Sequence, residues 1–172
     1  MSRKKKRAYL NDYHQNASGG YDYEGDLWSW EDPAGRKGSL TVGWVSLCLG
    51  LVLMIAAGCL PAPGADHVPY VLLPYAVGIM ACVLAMMALM RLTGEKDKIR
   101  GHVYESSVVK LPLRLMLGGV MPLVAALGGL VYLALHRIMT GPAIGFIALE
   151  CASGIVVVLL KIRFDRLKWV KE

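Results

Sequence analysis

Acidic side chains are nearly missing from the apolar stretches of this chain, and Glu150 is the only carboxylate inside any of them. The motifs of common enzyme chemistries are missing too. There is no phosphate-binding glycine loop, no HExxH and no GxSxG, so nothing points to nucleotide, zinc-protease or serine-hydrolase chemistry. His102, Glu105 and Ser106 are close in sequence, but a hydrolytic site also needs a held geometry and an oxyanion donor. The chain is read as a non-enzyme with no cofactor. Its four cysteines, Cys48, Cys59, Cys82 and Cys151, form no CxxC pair and no zinc-like spacing with histidine. His67 beside Asp66 is too little for a metal site, so none is expected. Each thiol lies in an apolar block, where it acts as a small hydrophobe. Only Cys59 is near the outer end of the blocks, so no intrachain disulfide is expected. A basic start, MSRKKKR, is followed by polar sequence rather than an apolar run, which argues against a cleavable signal peptide.

What the chain has is apolar residues, 55% of it against 19% charged, gathered into four blocks with the charge between them. The blocks run over 41–60, 69–92, 111–135 and 142–162, each about the 20 residues that cross a bilayer core as a helix. Pro61-Ala62-Pro63-Gly64 stops the first. Pro74 and Pro122 fall inside the second and third and are expected to bend them. The expected fold is all-α: an integral membrane four-helix bundle made of two consecutive helical hairpins. Small residues four apart should let its helices approach closely. These pairs are Ser46/Gly50, Gly78/Cys82, Ala125/Gly129 and Ala148/Ala152.

Of the 19 lysines and arginines, all but Arg137 lie in the segment before the first block, in loop 93–110 with its flanks, or at and beyond the end of the fourth block. The positive-inside rule then puts both termini and that loop in the cytoplasm. The net charge of +6 follows the membrane rather than forming one patch on a soluble fold, so the bilayer is the expected partner and nucleic acid is not. Compact loops favour the prokaryotic plasma membrane.

Residues 1–40 read as a mostly disordered cytoplasmic tail whose basic start sits by an anionic leaflet. Within it Tyr21, Tyr23, Trp28 and Trp30 alternate with polar residues around Gly25-Asp26. Such a pattern suits a short hairpin or an extended segment with one aromatic face. The favoured reading lays Leu27, Trp28 and Trp30 in the membrane interface, and the rival one docks the segment onto a partner. Loop 93–110 reads as a solvated, self-paired charge run, a short helix or helix extension. Residues 163–172 read as a cytoplasmic interfacial tail anchored by Trp169.

Glu150 lies about eight residues, or roughly 12 Å, from the outer end of its helix. No lysine or arginine shares that depth, so the neutral acid is expected to be the stable form. It would then donate a hydrogen bond to a carbonyl freed by Pro74 or Pro122, or to Tyr75; Ser46 and Ser153 are the other polar residues at hand. As a structural group it would fix helix packing or hold a partner's helix. As a functional group it would exchange protons or cations. The leading expectation is a non-enzymatic subunit or scaffold of a membrane complex, bound to a membrane-protein partner or to itself. The alternative is a small proton- or cation-coupled transporter using Glu150, and a holin-like pore former comes third.

Overall fold

The computed structural model describes residues 13–15, 21–23, 25–31, 33–62, 64, 67–95 and 98–171. The basic run at Arg3–Arg7, and Asp66, Lys96 and Asp97, lie outside the described residues. Four helices dominate: α1 (Pro33–Gly58), α2 (Pro69–Gly94), α4 (Leu111–His136) and α5 (Gly141–Asp165). All four are long and apolar enough to cross a membrane. A short α3 (Gly101–Val103), continued by a wider π-type turn over Tyr104–Val108, leads into α4. Five strands of three or four residues accompany them: β1 (Tyr13–Gln15), β2 (Tyr21–Tyr23), β3 (Leu27–Trp30), β4 (Lys98–Arg100) and β5 (Trp169–Lys171).

The helices are apolar on both inward and outward faces. Val45, Val52, Leu73, Met80, Leu127 and Leu135 all point outward and exposed, the pattern of a helix surrounded by hydrocarbon rather than water. Proline stands in the first two positions of all four long helices, where its missing N–H costs nothing: Pro33, Pro69, Pro112 and Pro142. Pro74 and Pro122 sit inside α2 and α4, which continue through them. Helix α1 starts about two turns before its apolar block. In that extension the Arg36 guanidinium donates to the carbonyls of Leu92, at 3.3 Å, and Glu95. A cation on the last carbonyls of α2 offsets the negative end of that helix, and it ties the start of α1 to the end of α2.

Each helix has two neighbours. Helix α4 packs extensively on α2 and α5, α5 also packs on α1, and the α1–α2 contact is the sparsest. Small residues make the close approaches possible. A Cβ on Gly119 would come within 2.7 Å of Val158, and one on Gly118 within 2.9 Å of the Cys82 sulfur. The Pro122 ring fills the notch left by Gly78. On α5, however, the packing residues are Ser153, Gly154 and Val157, whereas Ala148 is exposed and Ala152 only half-buried. The four-residue spacing of small side chains does not report which face turns inward, and Ala148 and Ala152 lie off the face that α5 packs within this chain.

Strands β4, β3 and β5 form one antiparallel sheet with β3 in the middle. Since β3 precedes α1, β4 follows α2 and β5 follows α5, the helices run up, down, up and down. One end of the bundle carries the sheet; the other carries the α1–α2 and α4–α5 turns. In register, Trp28 faces Ile99 and Lys171, and Trp30 faces Trp169. Trp28 and Trp30 share a face, as period-two alternation requires. Trp28 stacks on Tyr104 with ring centres 4.0 Å apart, Trp30 lies 4.5 Å from Trp169, and Ile99 is fully buried. Lys171 pairs with Asp26 at 2.8 Å.

The expected interfacial anchors Trp28, Trp30 and Trp169 are thus strand residues packed on one another, and the tail is ordered over Leu27–Trp30. An isolated extended segment leaves its backbone N–H and C=O groups for water to satisfy, whereas two partner strands satisfy them within the protein. Tyr21 and Tyr23 lie in β2, which pairs with β1 as a separate two-stranded ribbon. Replacing Trp28 by leucine keeps apolar bulk but loses the ring stack, at an expected cost of about 0.5–1.5 kcal/mol. Amide exchange over Leu27–Trp30 should quicken while the middle of α4 keeps its protection.

Candidate functional site

The interior is made of two apolar clusters stacked along the bundle axis. The larger, toward the sheet, includes Leu47, Met54, Cys82, Leu89, Leu115 and Val157. The smaller, toward the turns, includes Ala57, Val71, Leu133, Ala143 and Phe146. On α5, Glu150 falls between Phe146 of one cluster and Val157 of the other. Its inward direction follows from helical period: Phe146, Glu150, Ser153, Gly154 and Val157 are all buried and share one face. Tyr75 on α2 packs against both clusters and so spans the same seam from another helix.

Three polar groups near the seam, on Ser153, Tyr75 and Cys82, reach backbone carbonyls. Ser153 Oγ donates to the Gly50 carbonyl at 3.1 Å, and Tyr75 Oη donates to the Met54 carbonyl at 3.1 Å. Those two carbonyls are one turn apart, so α5 and α2 are both pinned to α1 there. The Cys82 thiol lies 3.8 Å from the Gly118 carbonyl, the group that Pro122 deprives of its helical N–H donor. Ser46, the third expected neighbour, is half-buried on α1 one turn toward the sheet from Gly50. Replacing Ser153 by alanine should cost about 0.5–1.5 kcal/mol, measurable as a lower unfolding midpoint in detergent.

Glu150 itself is fully buried, and neither carboxyl oxygen has a hydrogen-bond partner among the described residues. The expected bond to Tyr75 or to a proline-freed carbonyl is not made; Tyr75 donates instead to the Met54 carbonyl, and the Pro122-freed carbonyl has the Cys82 thiol beside it. Tyr75 and Cys82 nonetheless lie near enough to feel the carboxyl's charge. An orphaned polar group of this kind is expensive in an apolar interior, and natural proteins keep few of them.

On the turn side of the seam lies a cavity of about 530 Å³, lined by Tyr75, Phe146, Tyr132, His67, Leu72 and Gly58 among others. Phe146 is one helical turn from Glu150, and its ring centre is 6.1 Å from that of Tyr75. The two rings therefore stand between the cavity and the carboxyl. Gly58 leaves room for the Tyr75 hydroxyl. Gly64 holds a φ of 87°, and a Cβ there would lie 2.5 Å from the Tyr132 ring, so glycine at this turn serves both the backbone and the cavity wall. Tyr132 stacks on His136 at 4.1 Å.

Sequence reasoning singled out Glu150 and Tyr75 but missed Phe146, Tyr132 and Gly64 as cavity residues. Phe146 carried a signal, its one-turn offset from Glu150; Tyr132 carried none, because its place depends on how α4 meets the α1–α2 turn. Among the described residues, no three His, Cys, Asp or Glu side chains gather as a metal site would require. Comparison with protein-family models, with curated proteins and with solved structures finds no match to this chain. The functional reading therefore rests on the geometry.

Proposed function

We propose that the protein is a small proton- or cation-coupled transporter of a prokaryotic plasma membrane, with the sheet end in the cytoplasm and Glu150 as its exchange site. One observation carries the reading: a fully buried carboxyl whose two oxygens have no partner in the described protein. A carboxyl kept for packing would be expected to bond to a neighbouring helix, as Ser153 and Tyr75 do. One kept to hold a partner's helix would be expected on the lipid-facing surface, and Glu150 has no exposed surface. What fits is a group whose partner comes and goes. Ionisable residues at membrane depth are costly and commonly lie on ion or proton pathways. The orientation is supported by the described basic residues, which apart from Arg137 belong to segments at the sheet end.

A second reading, a non-enzymatic subunit or scaffold of a membrane complex, is favoured by the sheet. Strand β5 has one edge without a partner strand among the described residues, and an open edge can accept a strand from another chain. The aromatic rings of Trp28 and Trp30 are engaged within the chain's own sheet, so docking through them is less favoured than docking through the β5 edge. A holin-like pore is disfavoured by a carboxyl enclosed within a single four-helix unit.

The deciding experiment follows proton release from detergent-purified protein as cations are added, comparing wild type with Glu150→Gln. Release from wild type alone is the expected result. Equal release from both proteins would reject the exchange role. A change in oligomer size caused by Glu150→Gln, with no proton release from either protein, would turn the choice to the complex-subunit reading.

A further inference from the structure

We infer that the cavity at the turn end binds a lipophilic organic cation, and that Tyr75 and Phe146 form the gate between this site and Glu150. The inference rests on the exchange reading of Glu150 and names the class of substrate it would serve. The cavity's volume of about 530 Å³ lies within the roughly 300–1,000 Å³ of sites that enclose small organic ligands. Its described walls contain no lysine, arginine, aspartate or glutamate, but they carry the rings of Tyr75, Tyr132 and Phe146. Aromatic faces attract cations that have shed their water, and organic or quaternary cations shed it most readily. A hard inorganic cation would instead require about six or more oxygen ligands, and the described side chains of this wall offer only the Tyr75 and Tyr132 hydroxyls.

Charge over the whole chain points the same way. Among the described residues Arg137 is the only lysine or arginine belonging to the turn end, so that end repels an approaching cation far less than the sheet end does. Beyond the cavity floor, the carboxyl supplies the one negative charge available at membrane depth. The groups that face it are the Tyr75 hydroxyl and the Cys82 thiol, both on α2, and His67 stands on the cavity wall. The step is a simple exchange. The Glu150 carboxylic acid gives up its proton to water, and the resulting carboxylate pairs with the incoming cation. No covalent bond to carbon changes and nothing is oxidised or reduced. Tyr75 is suited to gating because it touches both apolar clusters and packs on Phe146 at 6.1 Å with the rings tilted by 50°. A rotation of either side chain would join the cavity to the seam.

Tetraphenylphosphonium and its shape-matched anion tetraphenylborate provide the test, by titration calorimetry on the full-length protein in detergent with proton release read in parallel. The phosphonium ion should bind at least about tenfold more tightly than the borate, because only a cation gains from the rings and the carboxylate. Leu72→Trp, at a half-exposed wall position, fills the cavity and should weaken binding about tenfold; Tyr132→Leu removes one ring and should weaken it about fivefold. The unfolding midpoints of both variants check that each is folded, and either variant alone is enough to read the result. Equal binding of the two ions, or binding unaffected by a folded wall variant, would overturn the inference.

The infrared carboxyl band of Glu150, assigned by its loss in Glu150→Gln, separates the two levels of failure. A band that titrates with pH in a protein that ignores tetraphenylphosphonium leaves the exchange reading standing and overturns the cation site. A band that never changes, together with tetraphenylphosphonium binding that releases no proton, overturns the exchange reading and with it the gate between the cavity and Glu150.

Discussion

Replacing Glu150 by methionine is expected to raise the unfolding free energy by about 1–3 kcal/mol while abolishing ligand-coupled proton release. The two effects have one cause. Both carboxyl oxygens are buried without a partner, so folding removes them from a better-solvated state and returns no bond. Methionine is close in length, flexible enough to fill the seam, and has no strong polar atom to desolvate. Glutamine is the control: it retains two polar groups in the same place, so it should lose exchange without the gain in stability. The measurement is denaturant or thermal unfolding in one detergent, alongside the proton-release assay. A methionine variant less stable than wild type would mean that the carboxyl does hold the bundle together, and the exchange reading would fall with it. Exchange sites are expected to be poor contributors to stability, since function here needs a group that the fold leaves unsatisfied.

The second large effect concerns the α4–α5 contact. Gly154→Ala should destabilise the bundle by about 1–3 kcal/mol, the usual cost of forcing an extra carbon into a full interior. The new Cβ would lie 2.8 Å from the Gly119 carbonyl oxygen and 2.7 Å from Leu123 Cγ. A leucine side chain could swing aside, but the carbonyl belongs to the backbone of α4, so relief requires the two helices to part. Gly154→Leu should then abolish a stable fold. Gly38→Ala, also in a helix but with nothing within 4 Å of the added Cβ, should instead stabilise by about 0.5–1 kcal/mol, because alanine loses less backbone freedom on folding. Thermal unfolding of the three variants in one detergent checks the contrast. Equal effects of the two alanine substitutions would mean that α4 and α5 do not meet backbone to backbone at Gly119 and Gly154.

The contrast also marks what a linear sequence conceals. Gly38 and Gly154 are both helical glycines, and only the packing of α5 against α4 makes one indispensable. The same applies to Ala148 and Ala152, whose spacing suggested an interface that Ser153 and Gly154 provide instead. Trp28 and Trp30 carried a period-two signal, but their partners Ile99, Tyr104 and Trp169 come from two other segments far away along the chain. Glu150 was conspicuous as the lone acid of an apolar run, yet its lack of a bond could be seen only once Tyr75 and Cys82 were found engaged elsewhere.

The sequence by itself determined four apolar helices, their approximate limits, the gathering of positive charge at one end, and a single carboxyl among them. These follow from length, hydropathy and charge, properties that add up locally along the chain and need no knowledge of neighbours. The tertiary structure decided that Leu27–Trp30 form the central strand of a sheet, which glycines admit a neighbouring helix, that the interior divides into two clusters at Glu150, and that a ring-lined cavity lies beside that seam. Each of these depends on which residues meet across the bundle. A contact between distant segments is a property of pairs, and neither member of a pair carries it alone.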